Sequence, residues 1–449
     1  MNAAATATSI TPATSAETRR GHVGLVVLGS IAAGLAIGLL LVLGVFAGGS
    51  EARVIGSALA GLGAGFVLLT VLSTRRTDQP QRWALVPGAA TVVIGVGFLA
   101  LAPGERFLDL ASWVWPVLLA MLVVSSFRGA RRSLANWSRR ALLYPALVVL
   151  SLLALSGAAG TVVAAISSNP APASGHIYLA NGHRLYLNCV GSGSPTVVLF
   201  SGLGEWTPNW AWVQANVSTT TRVCAFDRAG EGWSGGNAVR EDGHQLAADL
   251  HALLRVAHVP GPYVLAAHSV GGTYALVYAA QYPRQVAGVA LIDSATPYQF
   301  DLPDYPSFYS MWKRVSALMP SAARTAMGRM ALRSGFGSLP PRARGAARAF
   351  NSSPRQQTAS RIEFLQLPTV FNEAKAVRTL HGTPLAVLTA SVGEMRGWAA
   401  AQDELAQLST NTVHRTVIGA THAALLEDPN FARLTGRAIT GVVRRARGR

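Results

Sequence analysis

The sequence predicts a chain in two parts: a bundle of five membrane-spanning helices, then an α/β domain built on an eight-stranded, mostly parallel sheet. Three observations predict it. Five uncharged apolar runs crowd into residues 23–166. From residue 177 onward, short β-branched runs alternate with longer amphipathic ones. Only 13% of the 449 residues are charged and 50% are hydrophobic, where an ordinary soluble domain carries about 25% charged residues.

The runs cover residues 23–47, 54–72, 83–102, 110–127 and 142–166, and none contains Asp, Glu, Lys, Arg or His. Each fits the range of about 17–25 helical residues that crosses a hydrocarbon core. The connections set the orientation, because Lys and Arg stay on the cytoplasmic side. Arg19 and Arg20 precede the first run, Arg75, Arg76 and Arg82 separate the second from the third, and Arg128, Arg131, Arg132, Arg139 and Arg140 separate the fourth from the fifth. The other two connections hold one Arg each, Arg53 and Arg106, offset by Glu51 and by Glu105 and Asp109. The tail 1–22 is therefore expected inside the cell and everything after residue 166 outside, joined by the uncharged linker 167–175. A cleaved signal peptide at the first run would leave the rest of this topology unchanged. With no ionisable residue inside a run, the region reads as an anchor and not as a transport path. The glycines of Gly34-x-x-x-Gly38 and Gly61-x-x-x-Gly65 permit close helix approach.

The formal charge of +17 does not point to nucleic acid. The basic residues fall between apolar runs and in one later segment, with no aromatic-interleaved face. Two cysteines exclude a disulfide framework and a four-thiolate zinc site.

In the second part, an antiparallel start is expected at 177–179 and 184–189, turned by Asn181-Gly182. Further strands are expected at 196–200, 223–226, 263–267, 286–293, 385–390 and 413–418, with helices at 245–257, after Ser269 and within 396–408. The most informative stretch is Tyr263-Val-Leu-Ala-Ala-His268-Ser269-Val270-Gly271-Gly272. A buried strand runs into a tight turn and a small-residue helix start, which puts one serine at the bend. That is the geometry of a nucleophile elbow. Serine is a poor nucleophile until a base and oxyanion donors stand beside it.

Four motifs stand in order: Ser201-Gly-Leu203-Gly204, Asp227-Arg-Ala-Gly-Glu-Gly-Trp-Ser234, Ala-His268-Ser269-Val-Gly271 and Gly419-Ala-Thr-His422. On these, residues 176–449 resemble the α/β-hydrolase fold family of serine hydrolases, and the apolar runs have no part in the likeness. The resemblance implies Ser269 as nucleophile and His422 as general base. It implies an oxyanion hole made by the backbone N–H groups of Leu203 and Val270. Relatives often carry His where this chain has Ser201, and the elbow begins with Ala267 in place of glycine. Asp227 is expected to brace a turn. The triad acid is expected to be Asp293, at a strand end on rigid backbone, with Glu394 in a Gly-containing loop as the alternative.

The resembled fold sets the second and fourth strands side by side. Cys189 and Cys224 are therefore expected to form a disulfide outside the cytoplasm, with two buried free thiols as the alternative. Residues 297–383 are expected to form a helical lid. From 305 to 362 it contains Lys313 and nine arginines but no Asp or Glu, which suits anionic headgroups or an anionic substrate.

Together these readings predict a multi-pass cell-membrane protein with an extracytoplasmic serine hydrolase that cleaves an ester or thioester through an acyl-enzyme. No metal or organic cofactor is expected, and the partners are the membrane and a small-molecule or lipid-like ester. The alternative is a catalytically silent, hydrolase-like membrane sensor or binding protein.

Overall fold

A computed structural model of the protein describes residues 22–134, 140–167, 171–172, 174–236 and 240–448. The tail carrying Arg19 and Arg20, together with Arg139 and linker residues 168–170 and 173, lies outside the described residues.

Among the described residues, four helical segments are long and apolar enough to cross a membrane. They are α1 (Val23–Leu40, continued by a π turn to Val45), α2 (Glu51–Arg76), α3 (Leu85–Leu101, entered through a 3-10 turn at Arg82) and α6 (Tyr144–Ile166). Helices α1 and α2 meet at the two glycine pairs. A Cβ on Gly61 would lie 2.5 Å from Gly38 N, and one on Gly34 would lie 2.8 Å from Gly61 O. In lipid, where apolar burial does not drive helices together, such backbone proximity lets dispersion do so.

The fourth apolar run departs from expectation. It begins in the last residues of α4 (Glu105–Ala111), which takes in the charged connection before it, and continues in α5 (Trp115–Ser133); the two helices are bent by 48°, so that among the described residues a fifth span exists only if the pair is counted as one. Pro116 lies in the first turn of α5, where its missing N–H is harmless, so the sequence restarts a helix there. The Ser112 hydroxyl donates to Leu108 O at 2.8 Å and helps to end α4.

The second part is an eight-stranded sheet in the order β1-β2-β4-β3-β5-β6-β7-β8. Its strands are β1 (Gly175–Ala180), β2 (His183–Val190), β3 (Thr196–Phe200), β4 (Val223–Asp227), β5 (Tyr263–His268), β6 (Val286–Ile292), β7 (Leu385–Val392) and β8 (Thr412–Thr421). The β1–β2 and β2–β4 pairs are antiparallel and all others parallel. Helices cover both faces, so the central strands are apolar throughout and their alternate residues feed two cores. Val198, Phe200, Leu265 and Ala267 face α8 (Gly243–Val256) and α9 (Gly271–Gln281). Val197, Leu199, Val264 and Ala266 face α7 (Ala211–Ser218) and α17 (Pro429–Arg447). Strand order reverses around β3, with β4 on one side and β5 on the other, and a crevice forms at the carboxyl ends of such strands.

Between β6 and β7 the chain forms helices α10 (Tyr305–Val315), α11 (Met319–Ala323), α12 (Ala326–Leu332), α13 (Pro341–Asn351) and α14 (Pro354–Ala374). Helix α15 (Trp398–Ala406) follows β7, and α16 (Ala424–Glu427) precedes α17. By internal contacts the chain divides into two compact units, residues 1–104 with 113–155 and residues 105–112 with 156–449. The last turns of α6 and all of α4 thus belong with the sheet.

Candidate active site

Ser269 occupies the bend between β5 and α9 with φ +55°, a left-handed conformation that is costly for a non-glycine residue and persists only when its surroundings enforce it. They do so through three backbone hydrogen bonds. Ser269 N donates to Ile292 O at 3.2 Å, and Ser269 O accepts from Gly272 N at 3.1 Å and from Ala295 N at 2.9 Å. The glycines after the bend let α9 start in tight quarters: a Cβ on Gly271 would lie 2.4 Å from Phe200 O. The Ser269 side chain is half-buried, and among the described residues its hydroxyl carries no hydrogen bond.

His422 follows β8, and Asp293 follows β6 at φ +44°. The structure brings them together, with His422 Nδ1 2.5 Å from Asp293 Oδ2. Asp293 is 2% exposed. Its other oxygen accepts from Trp398 Nε1 at 2.8 Å and Ala390 N at 3.0 Å. Burial by itself would raise this carboxyl. The hydrogen bond from His422, the His422 charge, and the Trp398 and Ala390 donors outweigh it and hold the group below the usual carboxylate range. Glu394 lies exposed in the loop after β7. Its carboxyl is pushed up, first by partial burial and then by the Asp293 charge.

The loop after β3 presses against the serine. A Cβ on Gly202 would lie 2.8 Å from Ser269 Cβ and 2.8 Å from Glu205 Oε2, so only glycine fits. This loop is fixed on two sides. Buried Arg228 donates to Ser201 O and Gly202 O, each at 2.9 Å, and pairs with Glu363 of α14 at 2.9 Å and Glu231 at 3.1 Å. From the other side Glu205 Oε2 accepts from Gly202 N at 2.7 Å. Among the described residues the N–H groups of Leu203 and Val270 donate to no other backbone or side-chain group, which leaves both available to an incoming anion.

Sequence reasoning missed the pair His268 and Glu205. His268 is fully buried, with Nδ1 2.8 Å from Glu205 Oε1 and Nε2 3.1 Å from His422 O. Its ring centroid is 4.3 Å from that of His422. Burial alone would lower the imidazole, but the charge and hydrogen bond of Glu205 push it above its ordinary value. Burial would likewise raise Glu205, and His268 holds it below its ordinary value. Each therefore favours the charged form of the other. The residues are 63 apart in sequence, and no motif links them.

Elsewhere, Asp227 accepts from Thr207 N at 2.8 Å and Trp233 N at 2.9 Å, bracing the turn after β4. Burial pushes its carboxyl up to about 6, against these hydrogen bonds. Ser201 Oγ accepts from Trp210 Nε1 at 3.1 Å. Cys189 and Cys224 stand opposite one another across β2 and β4 and are joined by a disulfide.

A family model described as alpha/beta hydrolase fold matches residues 195–429. Over 85 residues the chain is 40% identical to the uncharacterized protein C23C11.06c of Schizosaccharomyces pombe, which is 19% of this chain and 16% of that protein. It is 30% identical over 105 residues to the uncharacterized protein YqjL of Bacillus subtilis, 23% of this chain and 42% of that one. The dihydrolipoyllysine-residue acetyltransferase component of an acetoin cleaving system from Pseudomonas putida is 34% identical over 105 residues, 23% of this chain and 28% of its own. The chain thus spans less than half the length of these curated relatives. Among solved structures, a mutant of DBJA superposes with a TM-score of 0.50 at 18% identity, covering 61% of this chain and 99% of that one.

Proposed function

Because the chain belongs to the alpha/beta hydrolase fold family, whose model matches more than half of its length, we propose that it is a membrane-anchored serine hydrolase cleaving an ester or thioester. The observation that carries this reading is the His422–Asp293 contact at 2.5 Å, together with a serine held at φ +55° in the bend between β5 and α9. Ser269 Oγ attacks the substrate carbonyl carbon while His422 Nε2 takes the hydroxyl proton. Asp293, bonded to Nδ1, fixes the tautomer and stabilises the imidazolium. Negative charge that develops on the carbonyl oxygen falls to the free N–H groups of Leu203 and Val270, and collapse of the adduct expels the alcohol or thiol, which takes the proton back from His422. Water then repeats the sequence on the acyl-enzyme.

The catalytic part is assigned to the extracytoplasmic side. The Arg-rich connections support this orientation, and so does the Cys189–Cys224 bond, which suits an oxidising compartment. A lipid-like ester is favoured by the seat of the lid. Met327 N donates to Ser156 Oγ of α6 at 3.0 Å, and Arg324 Nη1 lies 2.8 Å from Asp109 Oδ1 of α4. Met327 and Met330 of α12 are 62% and 74% exposed, so the lid presents apolar side chains alongside a helix of membrane-span length.

The test is labelling by a fluorophosphonate probe together with hydrolysis of p-nitrophenyl esters of increasing chain length. Labelling and turnover that disappear in Ser269→Ala are expected. An unlabelled wild-type chain that hydrolyses none of the panel would instead mark a silent binding protein.

A further inference from the structure

A second cluster of side chains, at the β1–β2 edge of the sheet, takes no part in this chemistry. His183 opens β2, Glu241 lies two residues before α8, and Asp249 is on α8. One nitrogen or carboxylate oxygen from each falls within 4.8 Å of the others. Asp249 is 3% exposed. Its Oδ1 is held by Asn181 Nδ2 at 3.0 Å and Gln245 Nε2 at 2.8 Å. Its Oδ2 is buried without a hydrogen-bond partner, as is Oε1 of Glu241. The nearest ring nitrogen, His183 Nε2, stands 3.7 Å from Asp249 Oδ2, beyond hydrogen-bond reach.

Two carboxylate oxygens shut away from water and facing each other without a donor are unfavourable as they stand. A cation placed between them and the imidazole would satisfy all three at once. One nitrogen and two oxygen donors suit zinc, which binds His, Asp and Glu and accepts water in a fourth place, whereas calcium and magnesium prefer oxygen alone. Asn181 and Gln245 already orient Asp249 in the manner of outer-shell partners.

We propose that His183, Glu241 and Asp249 form a structural site for a divalent transition-metal cation of the zinc class, clasping the β1–β2 turn to the start of α8. This goes beyond the proposed hydrolysis and does not depend on it. The site lies three strands from β5 in the sheet order, and its ion would act by closing a long loop of chain.

The full-length protein in detergent, freed of any affinity tag and stripped with a chelator, is titrated calorimetrically with Zn2+ near neutral pH, with Ca2+ in a parallel arm. One equivalent of Zn2+ and a raised unfolding temperature are expected. His183→Gln and Asp249→Asn should each weaken binding by about tenfold or more. If Asp249→Asn fails to fold, His183→Gln at the half-buried strand end carries the test. The proposal is overturned if the wild type takes up no Zn2+, if Ca2+ alone binds, or if His183→Gln and Glu241→Gln bind as the wild type does. It is equally overturned if Glu241→Gln raises the unfolding temperature of a chain that Zn2+ leaves unchanged, because the two carboxyls then share a proton.

Discussion

His268 donates through Nε2 to the backbone carbonyl of His422 at 3.1 Å while its Nδ1 is paired with Glu205. The residue before the elbow thereby ties the loop after β8 to the loop after β3. The proposed nucleophile, the proposed base and the proposed oxyanion loop are all tied to this one His268–Glu205 pair.

Glu205→Gln tests that arrangement. It leaves a buried imidazole without its counter-charge and should destabilise the chain by about 3 kcal/mol. His268 is raised above its ordinary 6.5 and Glu205 held below its ordinary 4.5. The His268 contribution is complete below 6.5 and is lost as pH rises through its folded value. The Glu205 contribution is complete above 4.5 and is lost as pH falls through its own folded value. The stability gap between wild type and variant should therefore be widest from pH 4.5 to 6.5 and shrink on both sides. Thermal unfolding across pH reads it; a gap independent of pH would refute the pairing.

Asp293→Asn should lower kcat on a p-nitrophenyl ester by about four orders of magnitude, since the ring loses its orienting acceptor. Glu394→Gln should stay within about twofold of wild type, because surface changes away from the site act weakly. Equal losses in both variants would reassign the acid.

Gly202→Ala places a methyl group 2.8 Å from both Ser269 Cβ and Glu205 Oε2. The loop must shift and carry the Leu203 N–H with it. Loss of one oxyanion donor costs about 10²–10³ in kcat, and steady-state kinetics on a folded variant would show whether it falls that far.

Arg228→Met removes the cation shared by Glu231, Glu363 and two loop carbonyls. Two buried carboxylates are left facing each other, at a cost of about 3–5 kcal/mol. Denaturant melts should show that loss, and the triple change Arg228→Met with Glu231→Gln and Glu363→Gln should recover part of it.

Much of this architecture is legible in the sequence because its signals are local. The eight strands follow from β-branched runs, the elbow from a strand meeting Ser269 and two glycines, and the membrane-length helices from charge-free runs. What is not legible depends on contact across distance or on one backbone break. Glu205 and His268 each look incidental until the fold closes 63 residues between them. The 48° bend near Ser112 is masked because apolarity runs straight through Pro116. The seat of the lid on α6 joins residues 171 apart, and no periodicity encodes such a meeting.

That seat has a practical corollary for anyone wishing to cut a soluble fragment from this chain. Truncation at the uncharged linker would discard Ser156, Asp109 and Ser112, the polar partners of Met327 in α12 and of Arg324 just before it. Gly160 goes with them, and its missing side chain is what lets α6 approach Arg324 O, where a methyl group would sit 2.4 Å away. A fragment that begins after residue 175 should accordingly show a loosened cap and altered acyl-chain preference even where its sheet is intact. A fragment that keeps this seat must therefore retain α4 together with the last turns of α6.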